Sequence, residues 1–205
     1  MSEHTQRIVL ASGNAGKLKE FQSLLTDCGL EVVPQSEFNV SDAEETGLSF
    51  VENAILKARH ACRATGLPAI ADDSGLEVDA LMGKPGIYSS RFAGVEGAER
   101  DSANNAKLIN SLQGLTQKDR SARFQCVLVY MRHAEDPTPI ICQGSWEGQI
   151  QHQISGEGGF GYDPLFYVPE RDCSAAELSK ADKNSLSHRG KAMQLLLQTL
   201  TAAGE

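Results

Sequence analysis

A strand, a glycine-containing turn and a helix follow one another in residues 8–25, whose sequence is IVLASGNAGKLKEFQSLL. Residues 8–11 form the short apolar run of a buried strand, and apolar residues from Leu18 to Cys28 recur at helical spacing, with Gly29 placed to end the helix. The turn leads into a helix N-terminus, where unpaired backbone N–H groups and the positive end of the helix dipole suit a phosphate. We therefore predict a phosphate-binding turn made of Ser12, Gly13, Asn14, Ala15, Gly16 and Lys17.

This turn is not a Walker A loop. Leu18 stands where that motif needs the hydroxyl of a serine or threonine to hold magnesium. Lys17 adds a mobile positive charge that favours an anion. The alternative, a plain strand-to-helix connection with an exposed lysine, stays open from this segment alone.

The length allows one sizeable α/β domain or two intimate lobes with a substantial core, and we predict a single domain over residues 1–205. The net charge of −8 argues against a protein that coats nucleic acid, and no apolar run reaches the roughly 20 residues that span a bilayer. The five cysteines are odd in number, widely spaced and without a CxxC pair, which indicates reduced thiols. Because the first residues also lack a secretory signal, we expect a cytoplasmic protein with neither nucleic acid nor membrane as partner.

Periodicity and capping signals predict the remaining elements. In chain order they are a strand at 30–34, a helix that opens with the capping box Ser49–Glu52 and stops near Gly66, a strand at 69–71, a helix at 98–112, two paired strands at 122–132 and 140–150, a strand at 165–168 and a helix that begins near Ser187. Strand–helix units combined with a central antiparallel hairpin predict an α/β fold with a mixed central sheet flanked by helices.

Two adjacent acids, Asp72 and Asp73, follow the predicted strand at 69–71. Neighbouring carboxylates at the end of a buried strand repel each other, and such a pair is tolerated when a cation or a proton is shared between them. Ser74 and Gly75 predict a tight turn that ends the strand at the carboxyl edge of the sheet, where open α/β sheets bind ligands. Oxygen ligands without a His/Cys cluster favour Mg²⁺ or Mn²⁺ over zinc. An ordinary acidic turn is the alternative.

The acidic loop 41–47 and the helix that follows it carry further candidates. Glu44 and Glu45 can supply another metal ligand, although acidic loops are usually just solvated. Asn53 and Lys57 share a helix face, from which Lys57 can reach a phosphate. An exposed helix face without function is the alternative for this pair.

The glycine-dense segment 156–164 and the basic start of the last helix predict a site for a purine base. The aromatic rings of the first offer flat surfaces for stacking, and its aspartate can accept a hydrogen bond from a ring N–H. The His-Arg pair of the second suits the acceptor oxygen of an oxopurine and matches a 6-amino group poorly. The candidate residues of these two segments are Phe160, Gly161, Tyr162, Asp163, His188 and Arg189, and Lys183 nearby adds a contact to a phosphate or to the base.

Seven segments, in order over nearly the whole chain, closely resemble the inosine/xanthosine triphosphate pyrophosphatase family, in particular its bacterial members. They are SxNxxKxxE at 12–20, ExxG at 44–47, FxENAxxKA at 50–58, DDSGL at 72–76, PGIYSxR at 85–91, GFGYDP at 159–164 and SHRGKA at 187–192. Each segment alone is moderately specific, and seven of them in register are strongly so.

The resemblance implies Mg²⁺-dependent hydrolysis of dITP, ITP or XTP to the monophosphate and pyrophosphate, which clears these non-standard nucleotides from the pool. It also implies a homodimer and a fold of two lobes with a cleft between them. In the implied site, residues 12–17 hold the phosphates and Ser74 touches the substrate. Asp73 accepts the proton and binds the metal together with Glu44, and Asp72 is the second candidate for the base.

Competing interpretations come from two other classes. One is a different nucleotide enzyme, such as a related pyrophosphatase of the septum-inhibitor type that acts on pyrimidine triphosphates, or a phosphotransferase. The other is a nucleotide sensor that binds without turnover, against which the intact acidic pair argues.

Overall fold

The computed structural model describes residues 6–25 and 30–203, which form one seven-stranded sheet and five α-helices. The strands are β1 (Gln6–Leu10), β2 (Leu30–Pro34), β3 (Ala69–Val78), β4 (Ser121–Met131), β5 (Ile140–Ile150), β6 (Phe166–Val168) and β7 (Cys173–Ser174). The helices are α1 (Ala15–Leu25), α2 (Phe50–Thr65), α3 (Arg100–Ser111), α4 (Lys180–Leu186) and α5 (His188–Ala203). None of these helices is long and apolar enough to cross a membrane.

The sheet is mixed, which confirms the predicted fold class. Its strand order is β2-β1-β3-β4-β5-β6-β7. β1 pairs in parallel with β2 and β3, whereas β6 pairs antiparallel with β5 and β7. β4 and β5 are neighbours joined by residues 132–139, a connection too short for a crossover between parallel strands, so the predicted hairpin is confirmed.

The chain divides into two compact units. The first contains the residues up to 73, residues 126–144 and those from 189 onward; the second contains residues 74–125 and 145–188. Strands β3, β4 and β5 contribute residues to both units. The organisation as a single domain over residues 1–205 stays a prediction.

Side chains of the first unit alternate along each strand and pack on two faces. The face that meets α1 and α5 contains Ile8, Leu10, Ile70, Cys126, Leu128 and Tyr130, packed with Phe21, Met193 and Leu196. The face that meets α2 contains Val9, Ala69, Ala71, Val127 and Val129, packed with Ala54, Ala58 and Ala61. Because Ile70 and Ala71 lie on different faces, the next two residues of β3 do so as well.

The second unit has its own core, in which α3 packs against the distal halves of β3, β4 and β5. Its largest buried members are Leu76, Leu108, Leu112, Phe124, Trp146, Tyr162 and Phe166. Aromatic rings stack within it, with Phe124 and Phe166 centred 4.6 Å apart.

The capping box that opens α2 forms as predicted. The N–H of Glu52 donates to the hydroxyl of Ser49, and the carboxylate of Glu52 accepts from the same hydroxyl at 2.6 Å. Gly66 takes a left-handed conformation at φ 70° directly after the helix, and its N–H donates to the carbonyl of Cys62.

The predicted strand end at Asp72 is wrong. β3 continues through Asp72, Ser74 and Gly75 to Val78, because β4 stays paired beside it and Leu76 is buried in the second core. The pairing of β3 with β1 does stop before the acids, at Ile70. α4 and β7 were not predicted, and the predicted helix end at Cys28 and Gly29 lies outside the described residues.

Candidate active site

The turn from Ser12 to Lys17 is held by its own side chains. Asn14 Oδ1 accepts hydrogen bonds from the N–H groups of Gly16 at 2.9 Å and Lys17 at 3.1 Å, and Ser12 Oγ accepts from the N–H of Asn14. The expectation that these amides of the α1 N-terminus are unpaired is therefore wrong for Gly16 and Lys17, since Asn14 caps them. The Lys17 side chain extends beyond the turn and contacts Asp72.

Asp72 is fully enclosed by cationic and thiol donors. Lys17 Nζ donates to its Oδ1, while Arg189 Nε, at 2.7 Å, and Cys126 Sγ, at 3.3 Å, donate to its Oδ2. The residue is 1% exposed. Burial raises the pKa of the Asp72 carboxyl, but the charges of Arg189 and Lys17 outweigh burial and hold that pKa well below its usual range.

Arg189 links Asp72 to helix α1. Its Nη1 donates to Glu20 Oε2 at 2.5 Å, so the guanidinium lies between two carboxylates. Burial lowers the pKa of Arg189, and the attraction of Asp72 and Glu20 more than reverses this and raises it. Arg189 is thus permanently charged, and it stabilises the ionised Asp72.

Asp73 lies on the opposite face of β3 with a separate partner. Lys57 Nζ of α2 donates to Asp73 Oδ1 at 2.6 Å and to Glu45 Oε1 at 3.1 Å. Burial raises the pKa of the Asp73 carboxyl, and the Lys57 charge offsets that rise only in part. Asp73 Oδ2 has no hydrogen-bond partner among residues 6–25 and 30–203.

The two acids therefore do not share a cation, contrary to the expectation for adjacent carboxylates. Successive side chains of a strand point to opposite faces, so Asp72 meets α1 and α5 while Asp73 meets α2. Each acid has its own cation, which is how both are accommodated.

The acidic loop brings Glu45, rather than Glu44, to this cluster. The loop is fastened to α2, because the N–H groups of Gly47 and Leu48 donate to Asn53 Oδ1 and Glu52 Oε2. Glu45 then reaches Lys57, whereas the exposed Glu44 has no hydrogen bond or ion pair within the described part of the chain.

The donor set around Lys57 fits a hard divalent cation. Glu45 and Asp73 already converge on one positive centre, the Lys57 ammonium. Residues 6–25 and 30–203 contain no group of three or more His, Cys, Asp or Glu side chains that would enclose a metal. Mg²⁺ commonly uses one or two carboxylates and takes its other ligands from water and substrate phosphates, so this small set suits it.

A second set of predicted residues is assembled in the second unit. The N–H of Phe160 donates to Asp163 Oδ2 at 2.8 Å, and Lys183 Nζ donates to the same oxygen at 2.7 Å. Lys183 Nζ also lies 5.2 Å from the centre of the Phe160 ring, a cation–π contact. The set offers one partly exposed ring beside a charged pair.

The other members of this set lie deeper. The Tyr162 ring is buried in the core and its hydroxyl donates to the carbonyl of Ser89 at 2.8 Å, so that ring is not a free stacking surface. Burial raises the pKa of Tyr162. His188 stacks on Phe124, with ring centres 4.8 Å apart.

The predicted pair of His188 and Arg189 is divided between the units. His188 packs among aromatic rings of the second unit, whereas Arg189 bonds Asp72 and Glu20 in the first. The break falls at the start of α5, where one residue of rotation about the helix axis separates the two side chains by about 100°.

Sequence reasoning gave no role to two residues of these sets, Glu20 and Cys126. Glu20 had a usable signal, since it lies three residues after Lys17 on the same helix face. The Cys126 thiol had none, because its contact with Asp72 depends on how β3 and β4 align.

In this α/β fold an acid with an accepting oxygen lies beside a lysine and a glutamate, which is the kind of base that a hydrolytic enzyme needs. The model of the Ham1 family matches residues 8–199, and the chain belongs to that family. The family resemblance inferred from the sequence is thereby confirmed.

Similar proteins cover almost the entire chain. A dITP/XTP pyrophosphatase of Pectobacterium atrosepticum is 60% identical over 198 residues, which are 97% of this chain and 100% of that protein. A dITP/XTP pyrophosphatase of Vibrio parahaemolyticus is 58% identical over 197 residues, 96% of this chain and 98% of that protein.

Solved structures agree with the fold. A HAM1 protein from Coxiella burnetii superposes with a TM-score of 0.88 at 51% identity, covering 96% of this chain and 99% of that one. A nucleoside-triphosphatase / dITP/XTP pyrophosphatase from Mycobacterium abscessus superposes with a TM-score of 0.73 at 38% identity, covering 95% and 100%.

Proposed function

We propose that this chain is a dITP/XTP pyrophosphatase that hydrolyses dITP, ITP and XTP or dXTP to the monophosphate and pyrophosphate. It thereby keeps non-standard purines out of DNA and RNA. The observation that carries the proposal is Asp73, whose Oδ2 has no partner in the described chain while its Oδ1 accepts from Lys57, which also bonds Glu45. Relatives with this name at about 60% identity over nearly the full length support it.

Asp73 is the proposed proton acceptor, and Asp72 is a structural acid. Both oxygens of Asp72 are occupied by donors, and a base must have an accepting oxygen within reach of its proton. Asp73 meets that requirement through Oδ2, and it is also more exposed, at 7% against 1%. This geometry supports one of the two assignments that the sequence left open.

The proposed metal is Mg²⁺, held by Asp73 and Glu45. The sequence assigned the second ligand to Glu44, but the convergence of Glu45 and Asp73 on Lys57 favours Glu45. When bound, Mg²⁺ supplies neutralisation of the negative charge around the α-phosphorus.

The chain's own cations contribute to the same neutralisation. Lys17 and Lys57 lie at the two acids, and each can turn from its carboxylate toward a phosphate oxygen. Ser12 and Asn14 shape the turn that presents Lys17, and Ser74, partly exposed beside Asp73, is proposed to touch the substrate.

The reaction is an in-line displacement at the α-phosphorus. Asp73 Oδ2 takes one proton from a water molecule, whose oxygen forms the new bond to phosphorus. The bond between the α-phosphorus and the bridging oxygen breaks, and pyrophosphate leaves with the electron pair. A positioned general base contributes roughly 10²–10⁴-fold to such a step.

The second unit is proposed to recognise the base. Phe160 offers a face for stacking, and Asp163, with Lys183 bonded to it, can accept from a ring N–H of hypoxanthine or xanthine. Gly161 and Tyr162 are proposed to shape the turn that carries Phe160, and His188 remains a predicted donor to the 6-oxo group. Arg189, which was predicted to share that role, donates to Asp72 and Glu20 instead. A 6-amino group leaves such donors unpaired, and discrimination of this kind reaches roughly 10⁴–10⁵-fold.

A panel of triphosphates tests the proposed function. The protein is incubated with Mg²⁺ and dITP, XTP, ATP, GTP, dUTP or CTP, and the products are separated by anion exchange. We expect monophosphate and pyrophosphate from dITP and XTP, with far lower kcat/KM for the others. Orthophosphate as first product, preference for a pyrimidine, or equal use of GTP would each refute the proposal.

The proposed assembly is a homodimer in the cytoplasm, as the resemblance implies. Size-exclusion chromatography with light scattering gives its mass directly. A dimer has twice the chain mass of 22.1 kDa, and a species of the chain mass alone contradicts the proposal.

A further inference from the structure

Helix α3 holds Gly161 on both sides. The N–H of Gly161 donates to Asp101 Oδ2 at 2.9 Å, and its carbonyl oxygen accepts from Asn105 Nδ2 at 2.9 Å. Asp101 and Asn105 are four residues apart and therefore share a face of α3. Sequence reasoning gave neither residue a role.

These two bonds fix the backbone at one residue. The N–H belongs to the peptide plane before the Gly161 Cα and the carbonyl to the plane after it, so the pair restrains both φ and ψ. Gly161 has a φ of 62°, in the left-handed region, and glycine leaves the largest range of alternatives there. The glycine-rich sequence of this turn allows many backbone conformations, and α3 holds Gly161 in one of them.

The restrained residue lies inside the turn proposed to meet the base. Phe160 precedes Gly161, and the N–H of Phe160 donates to Asp163 Oδ2, which also accepts from Lys183. The conformation of Gly161 therefore sets the direction of the Phe160 ring relative to Asp163. We propose that Asp101 and Asn105 are positioning residues for purine recognition, which rests on the proposed function of this turn.

The helix that provides them is itself anchored. Asn104 Nδ2 donates to the carbonyls of Ser89 and Ser90, and Asn104 Oδ1 accepts from the N–H of Ala93 at 2.7 Å. The Ser89 carbonyl also accepts from the hydroxyl of Tyr162. Segment 85–91, a resemblance motif without an assigned role, thus braces both α3 and the turn.

Three substitutions test the restraint. Asp101→Ala removes the acceptor for the Gly161 N–H, and Asn105→Asp replaces the donor by an oxygen of the same size. Asp101→Asn loses the same charge at the start of α3 as Asp101→Ala but keeps an acceptor oxygen, so comparing the two isolates the hydrogen bond. Asn110→Ala, on the exposed side of α3, is the matched control.

The readouts are kcat and KM for dITP and the inhibition constant of inorganic tripolyphosphate, which has no base. Each substitution removes one of the two hydrogen bonds that restrain Gly161, so Asp101→Ala and Asn105→Asp should raise KM for dITP by roughly 10- to 100-fold with kcat within about threefold. Tripolyphosphate inhibition should stay unchanged, and Asp101→Asn and Asn110→Ala should match wild type. A loss of folding alone lowers the active fraction and hence apparent kcat, without this split.

Different results would contradict the proposed function and the proposed positioning role. Wild type without pyrophosphate release from dITP refutes the proposed function. An active wild type overturns the positioning role if both variants keep KM within about twofold, if Asp101→Asn is as impaired as Asp101→Ala, or if tripolyphosphate inhibition weakens equally.

Discussion

At the scale of single residues, the hydrogen-bonded ion pairs around the two acids of the first unit form two sets. Asp72 is neutralised by Arg189 and Lys17, and Asp73 by Lys57, which also serves Glu45. Both oxygens of Asp72 accept hydrogen bonds, whereas Asp73 Oδ2 accepts none from the part of the chain that the structure describes. The two neighbouring acids are therefore expected to respond differently to the same substitution.

Asp73→Asn should abolish turnover and leave the fold intact. Lys57 keeps Glu45 as a partner and the asparagine oxygen as an acceptor, so we expect the free energy of unfolding to change by less than about 1 kcal/mol. The rate of pyrophosphate release should fall by roughly 10²–10⁴-fold. Near-normal kcat in this variant would remove Asp73 from the role of base.

Asp72→Asn should instead destabilise the fold. Removing one partner of a buried ion pair leaves the Arg189 and Lys17 charges undercompensated, which costs about 3–5 kcal/mol. Urea unfolding followed by circular dichroism measures this loss. Wild-type stability combined with loss of activity would instead make Asp72 the catalytic base.

Glu45→Gln and Glu44→Gln separate the two possible metal ligands. Because only Glu45 joins the Lys57 cluster, Glu45→Gln should raise the Mg²⁺ concentration for half-maximal activity by at least roughly tenfold. Glu44→Gln is the matched control and should leave the Mg²⁺ titration unchanged. The reverse result would restore the assignment made from the sequence.

Residue types and spacing could predict which side chains matter here, but not which of them meet. Asp73, Lys57 and Lys17 were found from motifs. The separation of Asp72 from Asp73 needed the knowledge that β3 continues, since only a strand alternates its side chains. Glu44 and Glu45 were both candidates and Glu44 was chosen, because loop geometry, fixed by Asn53 and Glu52, decides which glutamate turns inward.

At the scale of elements, the best predicted features are those with local signals. The capping box and the glycine at its far end fix α2, and β-branched residues on both sides of a short connection fix the β4–β5 hairpin. α4 escaped prediction because seven polar-rich residues give too little periodicity. β3 was shortened because acids after an apolar run resemble a turn.

The hairpin connection depends on one buried carboxylate. Asp136, 3% exposed, accepts from the Arg132 side chain at 2.7 Å and from the N–H groups of Arg132 and Thr138. The Arg132 hydrogen bond, opposed by burial and helped by the backbone donors, lowers the pKa of Asp136. A lowered folded-state pKa means stabilisation that is fully present above the unfolded value, about 3.9, and lost as the pH falls below it.

Asp136→Asn should therefore destabilise the protein in a pH-dependent way. We expect a loss of about 1–3 kcal/mol at pH 7 that shrinks below about pH 4, measured by urea unfolding across pH. Glu135→Gln changes the neighbouring exposed acid and should have no such effect. A loss that is constant with pH would show that the Asp136 charge is not the cause.

At the scale of the whole molecule, the two compact units carry different chemistry. The acids and lysines of the first are proposed to act on the triphosphate, and the turn of the second on the base. Sequence could predict the fold class, since strand–helix units and a hairpin limit the topology to a mixed sheet. It could not predict that the His188–Arg189 pair divides between the units, because that depends on where α5 begins.

Metal removal should stop the reaction without unfolding the protein. Lys57 already neutralises Glu45 and Asp73, so the fold does not need a second cation there. Chelation should abolish pyrophosphate release while Tm shifts by less than about 2 °C in differential scanning fluorimetry. A fall of several times that size would make the metal part of the folded structure.

The alternation of side chains along β3 has a genetic consequence. Codons 72 and 73 both specify aspartate, yet we expect selection to act on codon 72 through protein stability and on codon 73 through catalysis. Substitutions at codon 72 should deplete the folded protein, and a stabilising change elsewhere or growth at lower temperature should rescue them. Substitutions at codon 73 should leave abundance untouched and resist every such suppressor. Two adjacent codons for the same amino acid would then be under independent selection. Codon 72 would be selected for stability of the fold, and codon 73 for the rate of the reaction.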